Sequence, residues 1–176
     1  MNIHELIRSR ASIRKYKNAP VPLETVMKII ESACRAPSSA NMQCWRFIIV
    51  DDEAQKKNIA KTCPQDIIAK ACEDAPYVVV LCADPRKSSI KNNIDYFLFD
   101  CALAMENFLL AACGEGLSTC IVAWYDAKKI AEILKLPPEL SVIALTPIGY
   151  ADEEIKPTTR KSLSEVVFHN SWGQSV

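Results

Sequence analysis

The apolar run Tyr77-Val-Val-Val-Leu-Cys-Ala83 is closed on both sides by Pro76 and Pro85. A continuous stretch of this kind, too short for a buried helix and bounded by residues that interrupt regular structure, is expected in a central strand of a sheet. Whatever else the chain does, it must cover that strand.

The rest of the pattern supplies the cover. Leu23, Val26, Met27, Ile30 and Ala33 recur at helical spacing, so Leu23 to Arg35 reads as an amphipathic helix. A strand over Arg46 to Val50 follows, and two helical pieces bracket Pro64. The longest helical candidate is Ile94 to Gly114, where Phe97, Leu98, Cys101, Ala102, Met105, Leu109 and Ala112 occupy more than one face. Such a helix is buried on two sides, in the core or at a subunit interface. Gly114 and Gly116 end it. A strand over Ser118 to Ala123, a helix over Ala127 to Leu134 opened by Asp126, a strand over Ser141 to Ile148 and a polar C-terminal tail complete the chain. At the other end Asn2 caps a short helix with Ile3, Leu6 and Ile7 on one face, which delivers the basic segment Arg8 to Lys17 into a loop or extended strand. Helices alternating with apolar strands give an α+β or α/β class with a mixed sheet. The 176 residues fit one domain spanning 1–176.

Composition removes several functions. Lys+Arg and Asp+Glu both number 21, so no net field favours nucleic acid, an anionic membrane or an acidic substrate. The 8 cysteines form no CxxC pair and lie largely in apolar segments, which argues against zinc and for buried thiols in a reducing cytoplasm. The N-terminus is too polar for a leader peptide, and Asp100, Glu106 and Asn107 make the stretch from Tyr96 to Cys113 too polar to span a bilayer. With only His4 and His169, a Ser-His or Cys-His nucleophile has little to work with, and no HExxH, Walker or GxGxxG sequence occurs.

Four segments remain as candidates, each with two readings. Arg8-Ser-Arg-Ala-Ser-Ile-Arg-Lys-Tyr16 combines four cations with two hydroxyls, which suits a phosphate-bearing ligand and equally a solvated basic turn. If Arg10 to Arg14 is extended, Arg10, Ser12 and Arg14 point the same way. In APSSANMQCWRF (36–47), Pro37 forbids continuation of the preceding helix, while Ser38, Ser39, Asn41 and Gln43 offer groups for a heteroaromatic edge or for capping of local backbone. Gly116-Leu-Ser-Thr-Cys-Ile-Val-Ala-Trp124 reads as a helix C-cap and a core strand. Lys156 to Lys161 is a second basic, hydroxyl-rich segment, of the kind found in surface tails.

Taken in order, RASIRKY (10–16), APSSANMQCWRF (36–47), GLSTCIVAW (116–124) and TRKSLSEVV (159–167), with the helix DCALAMENFLLAACGEGL (100–117), resemble the nitroreductase family of FMN-dependent oxidoreductases. The resemblance implies a mixed, mainly antiparallel sheet flanked by helices, in an interlocked homodimer with FMN at the subunit interface. It assigns Arg10, Ser12 and Arg14 to the flavin phosphate, ribityl chain and pyrimidine end, with Ala11 where the family often has a second arginine. Pro37, Ser38, Ser39, Asn41 and Gln43 fall in the loop along the flavin, often contributed by the other subunit. Ile121, Val122 and Ala123 fall in the segment whose backbone approaches the isoalloxazine, and Arg160 matches a late residue on the phosphate. Cys44 replaces the usual proline. The implied activity is transfer of electrons from NADH or NADPH through flavin N5 to a nitroaromatic, quinone or similar small-molecule acceptor in a ping-pong cycle, with no protein nucleophile or metal. Specialised flavin chemistry, such as dehalogenation or flavin fragmentation, and flavin storage are the alternatives.

Overall fold

The computed structural model of the chain describes residues 2–155 and 158–176. The apolar run forms strand β2 (Tyr77–Ala83), which pairs antiparallel with β1 (Trp45–Val50) on one side and β6 (Ser141–Gly149) on the other. The two-residue β5 (Ser118–Thr119) adds to β6, giving the order β1-β2-β6-β5. Alternation along β2 explains why the run has no polar face. Val79, Leu81 and Ala83 pack with α2 (Leu23–Ala33) and α5 (Tyr96–Gly114), whereas Val78, Val80 and Cys82 pack with α3 (Glu53–Ala60), α4 (Asp66–Asp74) and α6 (Ala127–Ile133). Each fully buried aliphatic side chain contributes about 1.5–3 kcal/mol of transfer free energy, so the two covered faces anchor everything else.

The class is α+β. All strand pairs are antiparallel, and the parallel pairing among the described residues is a single bridge, Ser12 to Thr119. The mixed character expected from sequence is reduced to that bridge.

Several boundaries differ from expectation, each for a local reason. Helix α2 ends at Ala33 rather than Arg35, because Ala36 precedes Pro37 and the backbone tightens into i→i−3 bonds, Arg35 N to Ser32 O and Ala36 N to Ala33 O. Helix α5 starts at Tyr96 rather than Ile94. Ile94–Asp95 is instead strand β4 of a small hairpin with β3 (Ile90–Lys91), turned by Asn92 and Asn93, both with positive φ. At its other end α5 closes with Gly116 at φ +74°, where Gly116 N reaches Cys113 O and Leu117 N reaches Ala112 O.

The strand expected over Ser118 to Ala123 is interrupted. Pairing with β6 resumes only at Val122–Leu145, and the intervening partner of Cys120 in that register is Pro147, which has no N–H. Two elements match well: α1 (Ile3–Ser9) carries the Asn2 cap, reciprocated by Glu5, and α6 is capped by Asp126. The C-terminal tail contains α7 (Leu163–Val166), which sequence reading passed over. Lys156 and Pro157 of the late basic segment lie outside the described residues.

By length and composition α5, with mean hydropathy 1.5, is apolar enough to cross a membrane, contrary to the sequence reading of this stretch. What marks it as a core helix is packing. Cys101, Ala104, Met105, Phe108, Leu109 and Ala112 are buried with α2 and the sheet.

Gly149 closes β6 where a Cβ would meet Pro76 Cδ at 2.7 Å and Tyr16 Cδ1 at 3.2 Å. Gly149→Ala is therefore expected to lower stability by about 1–3 kcal/mol. Gly114→Ala, whose Cβ would lie 3.9 Å from Leu6 Cδ1, is expected to be neutral or stabilising by up to ~1 kcal/mol. Urea denaturation of both variants checks the contrast.

Candidate functional site

The basic N-terminal segment is pinned to the β5 edge of the sheet. Ser12 bridges Thr119, Ile13 N donates to Thr119 O at 2.9 Å, and Tyr16 bridges Ala151 while its hydroxyl donates to Ile13 O at 2.6 Å. Ile13 and Tyr16 are buried, so Arg10, Ser12 and Arg14 are left toward the surface.

Arg8, Arg10 and Arg160 line one cavity of about 310 Å³ together with Ala11 and Thr158, and none of the described residues lining it is acidic. Three guanidinium groups with no acidic residue among the described lining are the donor set an anion would need. Arg160 is steadied by its own loop, donating to Thr158 O and Thr159 O at 3.3 and 3.0 Å. Ser12 and Arg14 line an adjacent cavity of about 620 Å³ that shares Ala11 and Thr158. There Glu153 accepts from the backbone N–H groups of Arg14 and Lys15 and so fixes the path of the segment. Arg8 and Glu153 were not among the residues singled out from sequence. Arg8 was visible as part of the basic run, whereas nothing in the local sequence marks Glu153.

Along the same edge, Val122 is buried and exchanges both backbone bonds with Leu145. Strand alternation then turns the N–H groups of Ile121 and Ala123 away from the sheet, and neither has a hydrogen-bond partner among the described residues. Ile121 and the neighbouring Trp124 are 46 % and 71 % exposed. Arg10, Ala11, Ser12, Arg14, Ile121, Val122, Ala123 and Arg160 are thus brought to one edge of one chain.

Pro37, Ser38, Ser39, Asn41 and Gln43 are not there. They form a loop before β1 in which Ala40, Asn41 and Gln43 all have positive φ, at 48°, 56° and 50°. For Ala and Gln this is an uncommon conformation, costing of order 1–3 kcal/mol each. The loop is held by bonds from several sides. Gln43 N donates to Ser38 Oγ at 3.0 Å, Gln43 Nε2 donates to Asn41 O at 3.1 Å, and Ser39 N donates to Asp100 Oδ1 at 2.9 Å. A loop strained and held in this way presents a fixed set of polar groups.

The two groups are far apart. The loop enters β1 at Trp45, which pairs with Ala83, and Ala83 pairs with Ser141, whereas Thr119 pairs with Ile148. Three strand spacings separate the edges, about 14 Å, and the offset from Ser141 to Ile148 along β6 adds about 23 Å. One small ligand does not touch both within a chain.

The thiols fit a packing role. Burial pushes the pKa of Cys44 and Cys120 upward, which keeps both protonated and poorly nucleophilic near neutrality.

Residues 7–150 match the nitroreductase family profile. A solved nitroreductase family protein from Clostridium novyi NT is 34% identical, with a TM-score of 0.82, over 99% of this chain and 97% of that one. An FMN-dependent nitroreductase from Clostridium difficile R20291 is 30% identical with a TM-score of 0.84, over 96% of this chain and 100% of that one. An NADH dehydrogenase from Thermus thermophilus is 30% identical over an alignment that covers 90% of this chain and 91% of that protein.

The segment beyond β2 begins with a charged turn. Arg86 donates through Nε and Nη2 to the two carboxylate oxygens of Asp84, each at 2.9 Å, and its backbone N–H donates to Oδ1 at 3.0 Å. These bonds hold the Asp84 carboxyl down at about 2. Because the folded value is depressed, the stabilisation is present above the ordinary carboxyl range and is lost as pH falls toward 2. Urea midpoints of the wild type are expected to fall more steeply between pH 4 and pH 2 than those of Asp84→Asn. Parallel curves would contradict this role for Asp84.

Proposed function

The chain belongs to the nitroreductase family, and from that premise we propose that it is an FMN-dependent oxidoreductase that takes electrons from NADH or NADPH and delivers them to a nitroaromatic, quinone or similar small acceptor. The observation that carries the reading is the cavity lined by Arg8, Arg10 and Arg160 with no acidic residue among the described lining, beside the free backbone edge of Ile121 and Ala123. The donor set fits a flavin mononucleotide: guanidinium groups for a phosphate and backbone N–H groups for a heteroaromatic ring.

Arg10, Arg160 and Arg8 would hold the phosphate, Ser12 and Arg14 the polar middle, and the N–H of Ile121 or Ala123 the ring edge. Val122 is excluded from the last task because Leu145 takes its N–H. Ser38, Ser39, Asn41 and Gln43 would line the other side of the same ligand from a second copy of the chain. When bound, FMN supplies hydride acceptance from the nucleotide and electron donation to the acceptor, by turns at one face. The protein supplies position and charge, so no histidine or nucleophilic thiol is needed.

An interlocked homodimer supports this arrangement physically. Ile3 and Ile7 of α1, Leu98 and Phe99 of α5, and Leu163 and Trp172 near the C-terminus are all more than half exposed in the single chain. A second copy of the chain would bury such groups. One FMN-binding domain over residues 1–176 contributes half of each of two sites. Eight free cysteines agree with a cytoplasmic protein.

Anaerobic mixing of the FMN-loaded protein with each nucleotide tests the activity, with bleaching of the flavin absorbance and recovery on adding the acceptor as the expected result. Tight FMN without reduction by either nucleotide would point to flavin storage instead. Arg10→Ala, Arg160→Ala and Arg8→Ala are each expected to weaken FMN binding about 10- to 150-fold, the loss of one charge-assisted contact of about 1.5–3 kcal/mol. FMN titration with unchanged affinity rejects the assignment for that residue.

A further inference from the structure

Asp100 has no part in the chemistry above, yet its carboxylate is 1 % exposed and no cation pairs with it among the described residues. A buried carboxylate is costly unless hydrogen-bond donors surround it. Its donors come from two separate segments. Ser39 N–H reaches Oδ1 at 2.9 Å from the strained loop, and Ser88 Oγ reaches Oδ2 at 2.8 Å from the segment leading into the β3–β4 hairpin. A weaker contact comes from Cys44 Sγ at 3.9 Å.

The same two segments are joined directly by Ser39 Oγ, which donates to Ser89 Oγ at 2.7 Å, and Ser89 O in turn accepts from Tyr96 N at the start of α5. Asp100 itself cannot shift. Cys101 and Ala104 beside it are fully buried in the core. The hairpin that follows Ser88 and Ser89 is otherwise open, with Ile90 72 % and Ile94 54 % exposed.

We propose that Asp100 is a positioning residue that fastens the loop Pro37–Gln43 and the segment Ser88–Asp95 into one unit, so that a ligand held by the loop also orders the hairpin. The ligand's identity rests on the FMN reading; the fastening does not. Charge-assisted bonds from one rigid helix are well suited to the task, because they hold a backbone N–H directly before the residues with left-handed conformation.

Hydrogen exchange read by mass spectrometry tests this on the wild type, Ser88→Ala and Asp100→Asn, with and without FMN. Without FMN, Ser88→Ala is expected to speed exchange about tenfold across 88–95 and leave 38–43 near wild type. Asp100→Asn is expected to speed both segments, with core residues 77–83 unchanged in either variant. With FMN, the wild type slows in both segments, whereas Ser88→Ala slows fully across 38–43 and less than the wild type across 88–95, where the Ser39–Ser89 bond alone remains.

Equal FMN-induced slowing of 88–95 in Ser88→Ala and wild type would overturn the coupling. A uniform rise across the whole chain, or unchanged exchange of 38–43 in Asp100→Asn, would overturn the fastening. Should Asp100→Asn fail to fold, Ser88→Ala still decides. If the wild type does not bind FMN, the flavin reading fails while the ligand-free comparison still judges the fastening.

Discussion

Helix α5 keeps the two halves of the candidate site apart. It is clamped between α2 and the sheet by Phe108, Leu109, Met105 and Ala112, with Phe108 also stacked near Phe47 at 6.4 Å. Near its start Asp100 holds the strained loop, and near its end Cys113 lies 3.5 Å from Ser9 Oγ beside the basic segment. The step of thirteen residues from Asp100 to Cys113 spans about 20 Å of helix, most of the roughly 27 Å diagonal across the sheet. A helix packed this tightly does not bend to bring its ends together. If the loop and the arginines serve one cofactor, they must come from different chains.

The electrostatics are local for the same reason. A chain of balanced charge still collects three arginines at one cavity, because α1 delivers Arg8 and Arg10, and the loop beyond β6 returns Arg160 to the same place. The carboxylates that shape the chain are engaged elsewhere, Glu153 in the adjacent cavity and Asp84 at the far, loop end of the sheet. Glu153 is occupied with the backbone of Arg14 and Lys15, and Asp84 is occupied with Arg86. Each of these carboxylates shapes a segment, and neither lines the arginine cavity.

Much of this was legible in the sequence, and the reasons differ by element. The run Tyr77–Ala83 was read with its observed bounds because prolines flank it and both faces are covered. The Asn2 and Asp126 caps were equally plain. The interruption after Thr119 was not, since it depends on Pro147 in another strand occupying the paired position. The hairpin at Asn92-Asn93 and the Ser162–Glu165 capping box of α7 carried local signals that a reading by apolar periodicity overlooks. At the site, Arg10 and Arg160 were named from motifs and share a cavity. Asp100 appeared only as an interruption of an apolar helix, and its bonds to Ser39 and Ser88 exist only once the chain has folded.

The central claim, that each site takes its arginines from one chain and its polar loop from another, is tested most directly with hybrid dimers. One chain carries Arg10→Ala with Arg160→Ala, and the other Ser39→Ala with Asn41→Ala. FMN binding is titrated on the purified hybrid. Sites shared between chains predict one FMN per hybrid dimer at wild-type affinity, since one site collects all the substitutions and the other none. Two weakened sites, with no wild-type phase, would contradict the account.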